Sequence, residues 1–216
     1  IERIHCFKGT ALPQFFPASE SAGGTYDKSV VVAQQTAGGI NVFVAGSNTA
    51  FAHPILFRRV QDARQAVGAP RAKLIVVDPR KTDTAQAADL HLQIQPGTDV
   101  ALFNGMLHLM LREQWVNPSY IAAHAKGIEA LQALVQDYAP ERVASLCGIS
   151  QADLLQAARC FAQSKATLSL YCQGLNQSSH GTANNTALIN LHLACGHIGR
   201  PGAGPLSLTG QGNAMG

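Results

Sequence analysis

Apolar positions in this chain fall into short unbroken runs, each ending at a turn of small or polar residues. Asn41-Val42-Phe43-Val44-Ala45 leads into Gly46-Ser47-Asn48, and Lys73-Leu74-Ile75-Val76-Val77 into Asp78-Pro79-Arg80-Lys81-Thr82. A third run, Leu90-His91-Leu92-Gln93-Ile94, leads into Gln95-Pro96-Gly97-Thr98-Asp99. The first two runs are β-rich with almost no polar interruption, which predicts strands of a parallel sheet buried on both faces. Between them, residues 52–67 keep a helical period, with Leu56, Val60, Ala63 and Val67 on one face and Arg58, Arg59 and Arg64 off it. Strand, helix and strand make a βαβ unit. Its turns, and with them Gly46, Asp78 and Asp99, are expected on one edge, the carboxyl edge of the sheet.

Further along, the apolar run 100–111 predicts a helix packed deep against the sheet, with Thr98 placed to cap it. Asn117-Pro118 is a helix-start signal, and Ile128, Leu131, Leu134 and Val135 mark a short amphipathic helix. Another helix is expected over 140–146, with Gly148 as its stop. Ser150 to Asp153 has the spacing of a capping box that opens a helix through Phe161, with Leu154, Ala158 and Phe161 inward. These helices are expected to cover the sheet. Residues 166–171 form another β-run, which delivers the polar loop Gln173-Gly174-Leu175-Asn176-Gln177-Ser178-Ser179-His180-Gly181 before a helix over about 184–194. Glycines crowd 196–204, which implies close backbone approach to a bulky polar ligand or an irregular connection. Residues 1–39 have no readable period. The expected organisation is α/β: a Rossmann-like parallel sheet flanked by helices over 40–165. Residues 166–216 would be the return strand, helix and Gly-rich loop of an adjacent, second α/β layer at the C-terminal end.

Composition narrows the choice of partners. The chain has 216 residues, a formal charge of +3 and only 13% charged residues, with no basic run to support nucleic-acid binding. So few charges suit a surface covered by other protein or by a large cofactor. No apolar stretch reaches transmembrane length and no signal-peptide pattern opens the chain, so a membrane role is not expected and the location is read as cytoplasmic. The five cysteines are odd in number and scattered without C-x-x-C, which suits a reducing compartment. The missing initiator Met and the ending Gly-Asn-Ala-Met-Gly suggest that both ends are cut from something longer.

The turns carry the candidate chemistry. Gly46 permits close backbone approach, Ser47 and Asn48 offer short polar arms, and turn N–H groups favour phosphate. An aspartate after the next strand, Asp78, is placed to accept from a ribose or a base, and Asp99 repeats the arrangement. Singly, each of these residues reads as a turn or cap; in succession they point to a ligand containing a nucleotide.

The same stretches, Ala45-Gly46-Ser47-Asn48, Val76-Val77-Asp78-Pro79-Arg80-Lys81-Thr82 and Pro96-Gly97-Thr98-Asp99-Val100-Ala101-Leu102, resemble the molybdopterin oxidoreductase superfamily in order and spacing. Gly174-Leu175-Asn176-Gln177-Ser178-Ser179-His180-Gly181 and Gly196-His197-Ile198-Gly199-Arg200-Pro201-Gly202-Ala203-Gly204 continue the resemblance. Within the superfamily, His53 to Arg59 and Ser207-Leu208-Thr209-Gly210-Gln211 are similar to the catalytic subunit of bacterial assimilatory nitrate reductases. The resemblance implies a bis-molybdopterin guanine dinucleotide cofactor carrying molybdenum. Gly46, Ser47 and Asn48 would contact its phosphate or pterin, Asp78 and Arg80 would sit at a nucleotide end, and Asp99 would accept from guanine. Gln173, Gly174, Gln177 and His180 would lie by the pterin and nearer the metal, with Gln177 and His180 in the catalytic region. It also implies nitrate as substrate, reduced to nitrite, and an electron-donor protein or domain.

The chain departs from the superfamily in lacking the four-cysteine motif for a 4Fe-4S cluster, which is therefore expected in the full-length protein but not from this segment. The resemblance places the molybdenum ligand in Arg3-Ile4-His5-Cys6-Phe7, at Cys6, with a structural cysteine as the alternative. Two other functions compete with nitrate reduction. One is a cofactor-binding module without turnover, and the other a related molybdenum enzyme such as a formate dehydrogenase. A nicotinamide dehydrogenase fits poorly, because no G-x-G-x-x-G follows the first strand. His53, His91, His108, His124 and His192 read as packing, surface or capping residues.

Overall fold

In the computed structural model residues 40–65 and 71–208 are described; Cys6, with the ligand role expected of it, lies outside them. The first apolar run forms β1 (Asn41–Ala45) at the centre of a five-stranded sheet. On one side lie β2 (Leu74–Val77) and β3 (Leu90–Leu92), on the other β4 (Thr167–Tyr171) and β5 (Gly204–Ser207), giving the order β3-β2-β1-β4-β5. Every pairing is parallel. Every residue of β1, β2 and β4 is buried, because alternate side chains enter two separate cores. Phe43, Ala45, Ile75 and Val77 face one core, and Val42, Val44, Leu74 and Val76 the other.

The strand expected to open an adjacent layer runs beside β1 in residue-for-residue register, from Asn41 opposite Thr167 to Ala45 opposite Tyr171. The segment after 166 thus continues the same sheet in the opposite direction from β2 and β3. Two crossovers that leave a central strand in opposite directions open a crevice between their turns, at the carboxyl ends of β1 and β4.

The single helix expected over 52–67 is two, α1 (Thr49–Ala52) and α2 (Pro54–Gln65), divided at His53-Pro54. Proline supplies no N–H to continue the earlier turn but suits the first position of a new helix. The buried face of α2 is Leu56, Val60 and Arg64, so Arg64 was assigned to the wrong side. Its guanidinium is held by Asp89 Oδ2 at 2.7 Å and donates to the Ala87 carbonyl at 2.9 Å. An arginine can follow an apolar stripe inward when its head finds such partners. Val67 lies outside the described residues.

Beyond α3 (Asp83–Gln86), which Thr82 caps, the long apolar helix is α4 (Asp99–Arg112). Thr98 does not cap it through its side chain; the hydroxyl donates instead to the Gln95 carbonyl at 2.7 Å. The predicted cap at Asn117 opens α5 (Pro118–His124), accepting from the Tyr120 N–H at 2.9 Å. In α6 (Ile128–Val135), Leu131 and Val135 are buried, whereas Leu134 stays 43% exposed. The helix α7 (Pro140–Cys147) stops at Gly148, whose φ of 71° is left-handed. Ser150 caps α8 (Gln151–Ala162), accepting from the Asp153 N–H at 3.0 Å, with Leu154, Ala158 and Phe161 buried as the spacing predicts. Part of the expected polar loop is a helical turn, α9 (Gln173–Asn176), and α10 (Gly181–Cys195) begins earlier than its apolar residues suggest.

Candidate functional site

Gly46 and Gly174 meet at the carboxyl ends of β1 and β4. Gly46 has a φ of 58° and donates its N–H to the Val77 carbonyl, while the Gly174 N–H donates to the Gly46 carbonyl at 3.0 Å. A Cβ on Gly174 would lie 2.5 Å from Gly46 Cα, and one on Gly46 would lie 2.7 Å from the Leu175 nitrogen. The turns after β1 and β4 therefore touch backbone to backbone, and only glycine permits it.

Ser47 and Asn48 spend their polar atoms partly inside the protein. Ser47 Oγ, in a buried residue, lies 3.1 Å from Thr49 Oγ1. Asn48 Oδ1 accepts from Thr84 Oγ1 at 2.9 Å, and the same Thr84 oxygen accepts from the Ala50 N–H at 2.9 Å. Thr84, fully buried, fastens the first turn to α3. Sequence reasoning passed over it, because a lone threonine in a short helix carries no pattern.

Asp78 closes β2 with its side chain only 3% exposed, and its Oδ1 accepts from the Arg80 backbone N–H at 2.8 Å and from Arg80 Nε at 3.4 Å. This fixes the turn and leaves the Arg80 side chain 73% exposed. The ring of His91 donates from Nε2 to the Asp78 carbonyl at 2.9 Å, so His91 supports the site from β3. Asp99 opens α4, and burial raises its carboxyl above the usual range; its own backbone hydrogen bond opposes the shift, and the charge of Asp78 adds to it. Two carboxylates thus feel each other from neighbouring turns. Asp99, the less enclosed of the two, can accept from a ligand that presents N–H or O–H donors.

Gln173, Gly174, Gln177 and His180 are exposed, around α9 at the β4 end of the same edge. Behind them Asn185 Nδ2 donates to Asn176 Oδ1 at 2.8 Å, and Asn176 Nδ2 to Ser207 Oγ at 3.1 Å. Burial raises the Tyr171 hydroxyl, opposed by a hydrogen bond with Ser207. This amide chain ties α9 to α10 and β5. It was missed because its members lie far apart in sequence. The structure therefore brings Gly46, Asp78 and Asp99 to one edge, with Gly174 in contact with Gly46. Among the described residues no three His, Cys, Asp or Glu side chains gather as a metal-ligand set.

A parallel α/β sheet whose turns meet at two glycines at its switch point has the arrangement of a ligand-binding α/β domain. The chain belongs to the molybdopterin oxidoreductase family, whose model matches residues 29–216. It is 47% identical over 174 residues to the nitrate reductase of Synechocystis sp., a match covering 81% of this chain and 24% of that protein. To the periplasmic nitrate reductase of Desulfovibrio desulfuricans it is 43% identical over 183 residues, with the same coverage of each. Formate dehydrogenase H of Escherichia coli is 36% identical over 175 residues, 81% of this chain and 24% of that protein. In structure, acetylene hydratase from Pelobacter acetylenicus matches with a TM-score of 0.67 and 26% identity, over 78% of this chain and 24% of that one. The chain thus spans about a quarter of the length of these relatives. No helix among the described residues is long and apolar enough to cross a membrane.

Proposed function

We propose that this chain is the cofactor-holding part of a molybdenum nitrate reductase catalytic subunit, acting on nitrate at a bis-molybdopterin guanine dinucleotide centre. The geometry fits that group. Gly46 and Gly174 bring the turns of β1 and β4 into backbone contact at the switch point, and the half-buried carboxylate of Asp99 offers an acceptor for the donors of a guanine edge. Arg80, extended into solvent, is the cation available to a diphosphate beside them. When bound, the cofactor supplies oxygen-atom transfer from nitrate, giving nitrite with two electrons delivered from a donor protein through an iron–sulfur cluster.

The chain's own residues bind and orient. Asp99 accepts from guanine, Asp78 holds the adjoining turn, and Ser47 and Asn48 shape the first turn through Thr49 and Thr84. Gln173, Gln177 and His180 form the exposed rim that faces pterin and substrate, where Gln177 and His180 can donate hydrogen bonds to an oxyanion. In this reading Cys6 provides the metal's thiolate. The observation that carries the choice of substrate is the 43–47% identity to nitrate reductases across most of the chain. Formate dehydrogenases are also relatives, which makes formate the alternative substrate. A cytoplasmic location accords with the free state of Cys147, Cys160, Cys172 and Cys195.

The test is molybdenum and pterin analysis of the intact purified protein, followed by reduced-dye turnover with nitrate and dye-reducing turnover with formate. Bound metal with nitrate consumption supports the reading. Formate oxidation without nitrate reduction would transfer the assignment to the formate class, and absence of pterin would leave a different nucleotide ligand.

A further inference from the structure

Two histidines lie inside the protein at the far end of α10 from the cofactor loop. His192 is fully buried and His197 is 1% exposed. Their ring centroids are 5.6 Å apart, and the ring of Phe161 from α8 packs against both, at 4.8 Å and 5.8 Å. His192 Nε2 lies 2.6 Å from Ser169 Oγ in the middle of β4, a buried contact. The other ring nitrogen of His192, Nδ1, is buried with no hydrogen-bond partner among the described residues, and so is Nδ1 of His197.

We propose that His192 and His197 form an acid-release latch, which fastens α10 to β4 while both rings are neutral and loosens when either is protonated. A neutral imidazole can leave its unprotonated nitrogen without a partner at modest cost. An imidazolium carries N–H on both nitrogens and needs an acceptor for each, and at each Nδ1 none is provided. The groups that face the pair make matters worse for a charge. Phe161 from α8 is apolar, Ser169 from β4 is neutral, each ring repels a proton on the other, and Arg200 beyond α10 is a cation that acts on His197. α4 meets this end of α10 with Met110 against Cys195, whose thiol is pushed up to about 12 by burial and so brings no negative charge.

Burial lowers both histidines, His197 to about 4 with the Arg200 charge adding to the shift. With the folded values below the unfolded value of about 6.5, the latch is fully closed above that pH. Its contribution is lost as pH falls toward about 4. β4 and α10 are the two elements that carry Gln173 to His180 between them, so opening the latch frees that loop at both ends. The latch stands on the packing alone; only the consequence for cofactor retention rests on the proposed function.

Hydrogen exchange of the intact protein, corrected for the intrinsic effect of pH, is the test. Between about pH 7.5 and about pH 5, amides of β4 and α10 should lose protection by about tenfold or more, the order expected when a buried histidine must charge. Amides of α2 should not change. In His197→Asn and His192→Gln, which remove the titrating rings, the acid loss should shrink; the milder His197→Gln serves if either fails to fold. Equal acid loss in wild type and variants would overturn the latch. So would ring resonances of His192 and His197 that titrate near about 6.5 in the folded protein.

Discussion

At the scale of single residues, the glycines and the aspartates of the candidate site should fail in different ways when altered. Gly174→Ala would drive a methyl group into the Gly46 backbone, which cannot give way as a side-chain tip could. It should cost about 1–3 kcal/mol in chemical denaturation and separate the turns of β1 and β4. Asp99 behaves in the opposite sense. Its carboxyl is raised mainly by burial, then by Asp78, so the stability it contributes is present below the unfolded value and lost as pH rises through the folded one. Asp99→Asn should therefore leave the cofactor-free fold as stable as wild type at about pH 3 and more stable at neutral pH. The same variant should hold the cofactor less tightly, read as molybdenum and pterin per chain.

At the scale of elements, Asp89, just before β3, ties α2 to β2. It accepts from Arg64 on α2, from Arg71 and from the backbone N–H of Leu74 at the start of β2, while its own N–H returns to the Leu74 carbonyl. Asp89→Ala would leave the Arg64 guanidinium, with a side chain 5% exposed, without its carboxylate. Loss of about 3–5 kcal/mol is expected in denaturant unfolding, and Arg64→Met with Asp89→Asn should recover part of it. The first of these residues also marks where the sequence misleads. A helical period identifies a stripe, but it does not say that an arginine in the stripe has a partner far along the chain. The strands β1 and β2 were legible because burial on both faces leaves them almost without polar interruption. The starts of α5 and α8 were legible because Asn117 and Ser150 act through local spacing. Thr98 also stands just before its helix, but its backbone is not in the extended form of Asn117 and Ser150, and its hydroxyl accepts no helix N–H while donating to the Gln95 carbonyl. Asn117→Ala should cost about 1 kcal/mol, measured in denaturant, because the Tyr120 N–H loses its acceptor.

For the whole molecule, the crevice could be placed from sequence because parallel strands bring successive turns to one edge. What could not be read was the sharing of that edge by segments on either side of residue 166, because strand order is invisible to periodicity. β4 beside β1 sets Gly174 against Gly46, and with it the exposed residues Gln173, Gln177 and His180 on the carboxyl edge of the sheet. Large exposed apolar side chains lie at the same end, Phe51 at 81% and Ile55 at 66%, on either side of the break between α1 and α2. The chain spans about a quarter of its relatives, which is enough to carry the switch point and its turns.

On the proposed function, this edge holds a molybdopterin guanine dinucleotide at the turns of Gly46, Asp78, Asp99 and Gly174. The most direct measurement is a structure of the intact protein purified with its cofactor. It should show a guanine within hydrogen-bond distance of the Asp99 carboxylate, and backbone atoms of Gly46 or Gly174 against phosphate or pterin. A cofactor bound elsewhere, with Asp99 in contact only with protein and solvent, would overturn that proposal.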